Sequence, residues 1–140
     1  MPSDKLTQAQ LDHILTTDAP FSAHYGFVVE AFDVGTARIR LPYDTRHTRP
    51  GGTISGPAMF ALADFGMYVA VMGAIGPVAL AVTTNMTIDF LRKPAERDLI
   101  ADVSLIKLGK RLAVGRVEIR AEGEDDICAH VTGTYSIPPR

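Results

Sequence analysis

The stretch 49-RPGGTISGPAMFALADFGMYVAVMG-73 decides how the rest of the chain is read. From Pro50 through Ile88 there is a single charged side chain, Asp64, set in the middle of an apolar run. Ser55 suits an N-cap and Gly56 opens the turn. Pro57 suits the first helical position, where its missing N–H has no intrahelical acceptor to lose. Gly76 and Pro77 then stop the helix. The predicted helix, residues 56–75, has about the length of a membrane span. A carboxylate at its centre would cost about 3 kcal/mol on insertion, and aromatic-plus-basic flanks do not bracket it on both sides. The expectation is a buried helix in a soluble, cytoplasmic protein with no membrane partner. A lone carboxylate in such a helix has to be paired, hydrogen-bonded or used.

Working outward, the chain of 140 residues fits one domain, residues 1–140. A formal net charge of −2 gives no basic surface for a nucleic-acid partner. Cys128, the sole cysteine, excludes an internal disulfide and a thiolate-rich zinc site, and reads as a small buried residue of a strand. His13, His24, His47 and His130 show no metal-ligand spacing, so neither a metal nor a cofactor is expected. His47, in the loop before the helix, is expected to be solvated. The N-terminal residues have no apolar signal core.

Leu6, Leu11, Ile14 and Leu15 lie near helical spacing and predict a short lead-in helix over residues 6–16. Residues 26–33 and 35–42 predict two strands joined tightly at Asp33 to Gly35. In the second, Ala37, Ile39 and Leu41 alternate with Arg38 and Arg40. After the long helix, four strands are predicted over residues 78–91, 98–109, 111–122 and 126–137, parted by turn residues. Strand alternation places Thr83, Asn85 and Thr87 on one face. A helix apolar nearly all round needs cover on more than one side, which a curved sheet supplies. The fold class is therefore α+β, a hotdog fold, in which about six mainly antiparallel strands wrap a long central helix.

The glycine-opened helix, the Asp eight residues on, VTTNMTIDFLRKPA, LIKLGKR and AHVTGTYSI together resemble the PaaI-type hotdog thioesterases over about residues 20–137. The resemblance implies hydrolysis of an acyl-CoA or aryl-CoA thioester, without metal, by a homodimer or a dimer of dimers. Gly56 and Asp64 match the family's pattern. Arg49 stands where its Asn is expected and Ser55 where its His is expected. Those two departures keep a second reading open, a non-catalytic acyl-CoA binding module. A hotdog hydratase would resemble a His-plus-acid pair, and no histidine lies on or beside the long helix.

Within that resemblance Asp64 is the general base or nucleophile, and the Gly56 N–H at the helix N-terminus is the oxyanion donor. Eight residues of helix span roughly 12 Å, too far for both groups of one chain to meet one carbonyl. The family places each site at a dimer interface, with the helix start of one subunit facing the acid of the other. It also implies that the strand over residues 78–91 pairs with its own copy. Thr83 is the candidate for holding water, and Ser55 and Arg49 are candidate substrate contacts. Lys107, Lys110 and Arg111 flank the turn expected near the nucleotide end of the ligand, with Arg92 and Lys93 as further basic candidates. Phe60, Phe65, Met67, Tyr68 and Met72 are either tunnel or simply core.

Overall fold

The computed structural model describes residues 4–139. The chain opens with helix α1, Gln8–His13, which a reciprocal cap fixes: Gln10 N–H donates to Thr7 Oγ1 at 3.1 Å and Thr7 N–H to Gln10 Oε1 at 3.0 Å. The predicted lead-in helix is thus shorter than residues 6–16. Its continuation, Ile14–Asp18, widens into one π turn in which Ala19 N–H reaches back to Ile14 O at 2.8 Å. Leu6, Leu11 and Ile14 are buried. A further short helix that the sequence did not signal, α2 (Ser22–Tyr25), ends at Gly26 in the left-handed region, φ 72°.

Strands β1 (Val28–Asp33) and β2 (Thr36–Leu41) form the expected hairpin, and Phe32, Ala37, Ile39 and Leu41 are its buried residues. The loop after β2 is more ordered than its polar composition suggests. His47 is buried: its ring stacks on Tyr25 at 5.3 Å, its Nε2 lies 3.2 Å from Tyr25 O, and its carbonyl accepts Ser55 N–H at 2.8 Å. The expectation of a solvated histidine is corrected. His47 is a brace that sets the chain entering the long helix.

Helix α3 runs Gly56–Ile75, as the sequence predicts, with Ser55 as N-cap; Gly56 is its first residue and Pro57 its second. Fourteen of its twenty residues are buried, which a single-faced contact could not achieve. It touches all six strands. The helix is long and apolar enough to cross a bilayer by length and composition, yet it lies inside the sheet. Two helix glycines allow the sheet this close. A methyl built on Gly66 would lie 2.7 Å from Val103 Cγ2, and one on Gly73 would run into the Asp33 carbonyl.

After α3 come β3 (Val82–Phe90), β4 (Leu99–Leu108), β5 (Leu112–Ala121) and β6 (Ala129–Ser136). The six strands pair antiparallel in the order β1-β2-β4-β5-β6-β3, an open curved sheet around α3. This is the hotdog arrangement. The strand predicted from residue 78 begins only at Val82. Before it, Val78 N–H bonds Gly76 O and Ala81 N–H bonds Val78 O, a turn that unloads the chain from the helix end.

A second correction concerns faces. Register slips between Thr83, opposite Tyr135, and Asn85, opposite Thr134. The extra residue, Thr84, turns the strand over. Thr83 therefore faces inward beside Tyr135, while Asn85 and Thr87 pair with Thr134 and Thr132 on the outer face. Thr83, Asn85 and Thr87 do not share a face.

Candidate active site

Asp64 sits two turns into α3, half-buried, at the base of a cleft of about 210 Å³. Its carboxylate is held on one oxygen only. Thr83 Oγ1 lies 2.5 Å from Oδ1 and Tyr135 Oη 2.7 Å from the same atom, and Tyr135 Oη also lies 2.9 Å from the Asp64 carbonyl. Oδ2 has no hydrogen-bond donor among the described residues and stays available to the cleft. The bulge at Thr84 is what delivers Thr83 to this point. Helix and sheet thus fix a carboxylate with one oxygen anchored and one free, which is the arrangement a general base or nucleophile requires.

Tyr135 was not singled out from the sequence. An inward-facing tyrosine on a core strand must find a partner for its hydroxyl, and that was the available signal. Burial, and after it the charge of Asp64, push its phenol above the ordinary tyrosine range, so it remains a neutral donor at working pH. Tyr68 lines the same cleft with Phe21, the two rings 6.2 Å apart, and donates its hydroxyl to Ala79 O at 2.8 Å. Its phenol is also raised, by burial first and then by the charge of Asp18, which lines the cleft as well. Of the apolar helix residues considered for a tunnel, Tyr68 alone reaches this cleft; Phe65, Met67 and Met72 are core and Phe60 is partly exposed.

Gly56 belongs to a different hollow, about 400 Å³, together with Arg49, Phe90, Arg92 and Lys93. As first residue of α3 its N–H has no intrahelical acceptor, and it carries the positive end of the helix dipole. Phe90 lies over it, close enough that an added methyl would sit 3.0 Å from the ring. Among the described residues the Arg49 guanidinium donates only to Pro50 O, at 3.3 Å, and has no carboxylate partner. Arg92 is tied to Asp126 at 2.9 Å. Ser55 spends its hydroxyl on the Ala58 N–H at 3.3 Å, as an N-cap.

Within one chain, then, Asp64 and Thr83 come together, Gly56 and Arg49 come together, and the two pairs line separate hollows. The remaining basic candidates join neither: Lys110 and Arg111 line a third concavity with Pro138 and Pro139, and Lys107 is exposed on β4. Among the described residues no cluster of side chains could hold a metal ion. Cys128 is buried and its thiol is pushed up to about 11 by burial, which leaves it no nucleophilic role at neutral pH.

Comparison with known proteins points the same way. A sequence model of the Thioesterase superfamily matches residues 51–128. A solved structure from Silicibacter sp., described as a candidate thioesterase, is 42% identical over 99% of this chain and 96% of its own, with TM-score 0.85. A single-substitution variant of the phenylacetic acid degradation protein PaaI from Thermus thermophilus is 28% identical over 85% of this chain and 99% of its own, with TM-score 0.75. A curated candidate esterase from Saccharolobus solfataricus is 28% identical, covering 94% of this chain and 86% of that one.

Proposed function

The chain belongs to the thioesterase superfamily as a PaaI-type hotdog thioester hydrolase, and from that premise we propose that it hydrolyses an acyl-CoA or aryl-CoA thioester to the free acid and coenzyme A, as a homodimer or dimer of dimers. The observation that carries this reading is the state of Asp64. One oxygen is anchored by Thr83 and Tyr135, and the other is free, in a cleft where a structural carboxylate would have both satisfied.

In this mechanism Asp64 Oδ2 takes a proton from a water, whose oxygen attacks the thioester carbonyl. The oxyanion forms against the Gly56 N–H of the partner subunit, and collapse expels the coenzyme A thiolate, which is then protonated. Attack by Asp64 Oδ2 itself, through an anhydride that water then opens, uses the same geometry. Either route needs two chains, because Gly56 and Asp64 of one helix line different hollows. The open edge of β3 supports such a pairing: Val82, Phe90 and Leu91 are each more than half exposed there. Arg49 and Lys93 beside Gly56 suit the phosphates of coenzyme A. The name of the Thermus protein brings aryl acids into consideration as the acyl part.

A competing reading, an acyl-CoA binding module without turnover, draws on Ser55, whose hydroxyl accepts the Ala58 N–H as an N-cap where the family's His is expected. A panel of aryl- and alkyl-CoA thioesters, assayed for thiol release alongside calorimetric binding of a thioether analogue, separates the two. Release of coenzyme A supports the hydrolase. Tight analogue binding with no release from any thioester overturns it.

A further inference from the structure

Asp18 is the last residue of the π turn that follows α1. The turn's own hydrogen bonds leave it aside: Thr16 and Thr17 hydroxyls bond the Asp12 and His13 carbonyls, and Ala19 N–H bonds Ile14 O. Among the described residues the Asp18 carboxylate has no salt bridge and no hydrogen-bond donor. It lines the Asp64 cleft. It also lines a neighbouring hollow of about 440 Å³, between α1 and the turn after α3, that includes His13, Ile14 and Pro77. Ala79 lines both as well, so the two spaces meet at Asp18 and Ala79. Neither is lined by a lysine or arginine among the described residues, whereas the Gly56 hollow holds Arg49, Arg92 and Lys93.

That asymmetry gives the substrate a direction. In a site shared by two chains, the coenzyme A phosphates go to the basic hollow of one and the acyl group to the acidic cleft of the other. The Asp64 cleft adjoins the neighbouring hollow at Asp18 and Ala79, which offers the acyl group a way on past Asp18. From this arrangement we infer that Asp18 is a specificity-determining residue: it disfavours acyl groups with a carboxylate at their far end and favours neutral or hydrogen-bond-donating ones. The inference rests on the acyl-CoA reading above. Its physical basis is an exposed, unpaired charge at the junction of two spaces, where a second carboxylate would meet like charge. A neutral hydroxyl or amide N–H would instead find an acceptor. The π turn explains the placement, since the widened turn ends the helical segment at Asp18 before Pro20 redirects the chain.

The test uses glutaryl-CoA and its terminal amide, which match in length and differ in charge. Wild-type protein should favour the amide in kcat/KM by about threefold to fivefold. Asp18→Asn should bring that preference close to one, and Asp12→Asn, an exposed carboxylate on α1 bonded to Gln8, should keep the wild-type ratio. Raising ionic strength from low to 0.5 M should narrow the wild-type preference without touching that of Asp18→Asn. A wild-type ratio near one, or a ratio that Asp18→Asn leaves unchanged, overturns the assignment while the hydrolase reading stands. If neither thioester is hydrolysed, the hydrolase reading fails. The same ratio is then read from binding of the two thioether analogues, where a charge preference lost in Asp18→Asn sustains the inference and its absence ends it.

Discussion

Tyr135 and Asp64 are 71 positions apart in sequence, yet the Tyr135 hydroxyl lies 2.7 Å from Asp64 Oδ1 and 2.9 Å from the Asp64 carbonyl oxygen. That contact ties the last strand of the sheet to the middle of the central helix. On the proposed mechanism Tyr135 is a positioning residue, one that acts on the reaction through Asp64. Tyr135→Phe should lower kcat more than it alters KM, because the carboxylate loses one of its two anchors. Loss of a hydrogen bond to a charged group costs about 1.5–3 kcal/mol, and the smaller figure applies because cleft water can replace the donor. Urea denaturation and steady-state kinetics on one preparation check both numbers. An unchanged kcat would remove Tyr135 from the site.

Asp64→Asn keeps an acceptor at Oδ1 for Thr83 and Tyr135 and removes the base. General-base assistance contributes about 10²- to 10⁴-fold, and turnover should fall by that amount. The melting temperature should hold or rise, since a partly desolvated charge is gone. A fall in melting temperature with an unaltered rate per folded molecule would make Asp64 structural.

Subunit mixing tests the shared site. Gly56→Val obstructs the helix start beside Phe90, and Asp64→Asn disables the acid. Each variant alone should be inactive. After denaturation together and refolding, about half of the dimers are mixed, and each of these has one intact site of two. Recovered activity should approach roughly a quarter of wild type by that statistical argument. No recovery, with heterodimers shown by mass spectrometry, would place both groups in one subunit.

Packing predictions concern the two helix glycines. Gly66→Ala sets its methyl against the Val103 side chain, which can shift with its strand, and should cost about 1–3 kcal/mol as ordinary overpacking. Gly73→Ala meets the Asp33 backbone carbonyl, which cannot rotate away, and should destabilise more than Gly66→Ala. Denaturant midpoints rank the pair, and the reverse order would contradict the packing of α3 against the β1–β2 hairpin.

Acid sensitivity should come from Arg40 on the outer face of β2. Its guanidinium holds Glu30 at 2.6 Å and Asp98 at 2.9 Å. Glu30 is lowered mainly by the Arg40 hydrogen bond, and Asp98 by the Tyr43 backbone N–H and then by Arg40. Carboxyls lowered in the folded state bind protons more readily when unfolded. Their stabilisation is present above about pH 4 and is lost as pH falls through the folded values. Arg40→Met should lower the melting temperature at pH 7, and the difference from wild type should narrow by pH 3. A constant difference across that range would exclude the linkage.

What the sequence determined by itself was whatever local pattern encodes. Ser55, Gly56, Pro57 and Gly76 punctuate α3, alternation marks β2 and β5, and one charge in a long apolar run marks Asp64. These signals rest on backbone propensity and on burial periodicity, and each lies within a few residues of what it predicts. Tertiary structure alone decided the rest. The bulge at Thr84 turned Thr83 inward and Asn85 and Thr87 outward, because register follows pairing with β6 and not the strand's own alternation. His47 became a buried brace only because Tyr25 came to stack on it. Tyr135 reached Asp64 because six strands curl around one helix, and Asp18 entered the cleft because a π turn ended the segment carrying it. Distant pairings of this kind are set by how the sheet closes over the helix, and no window of sequence contains both partners.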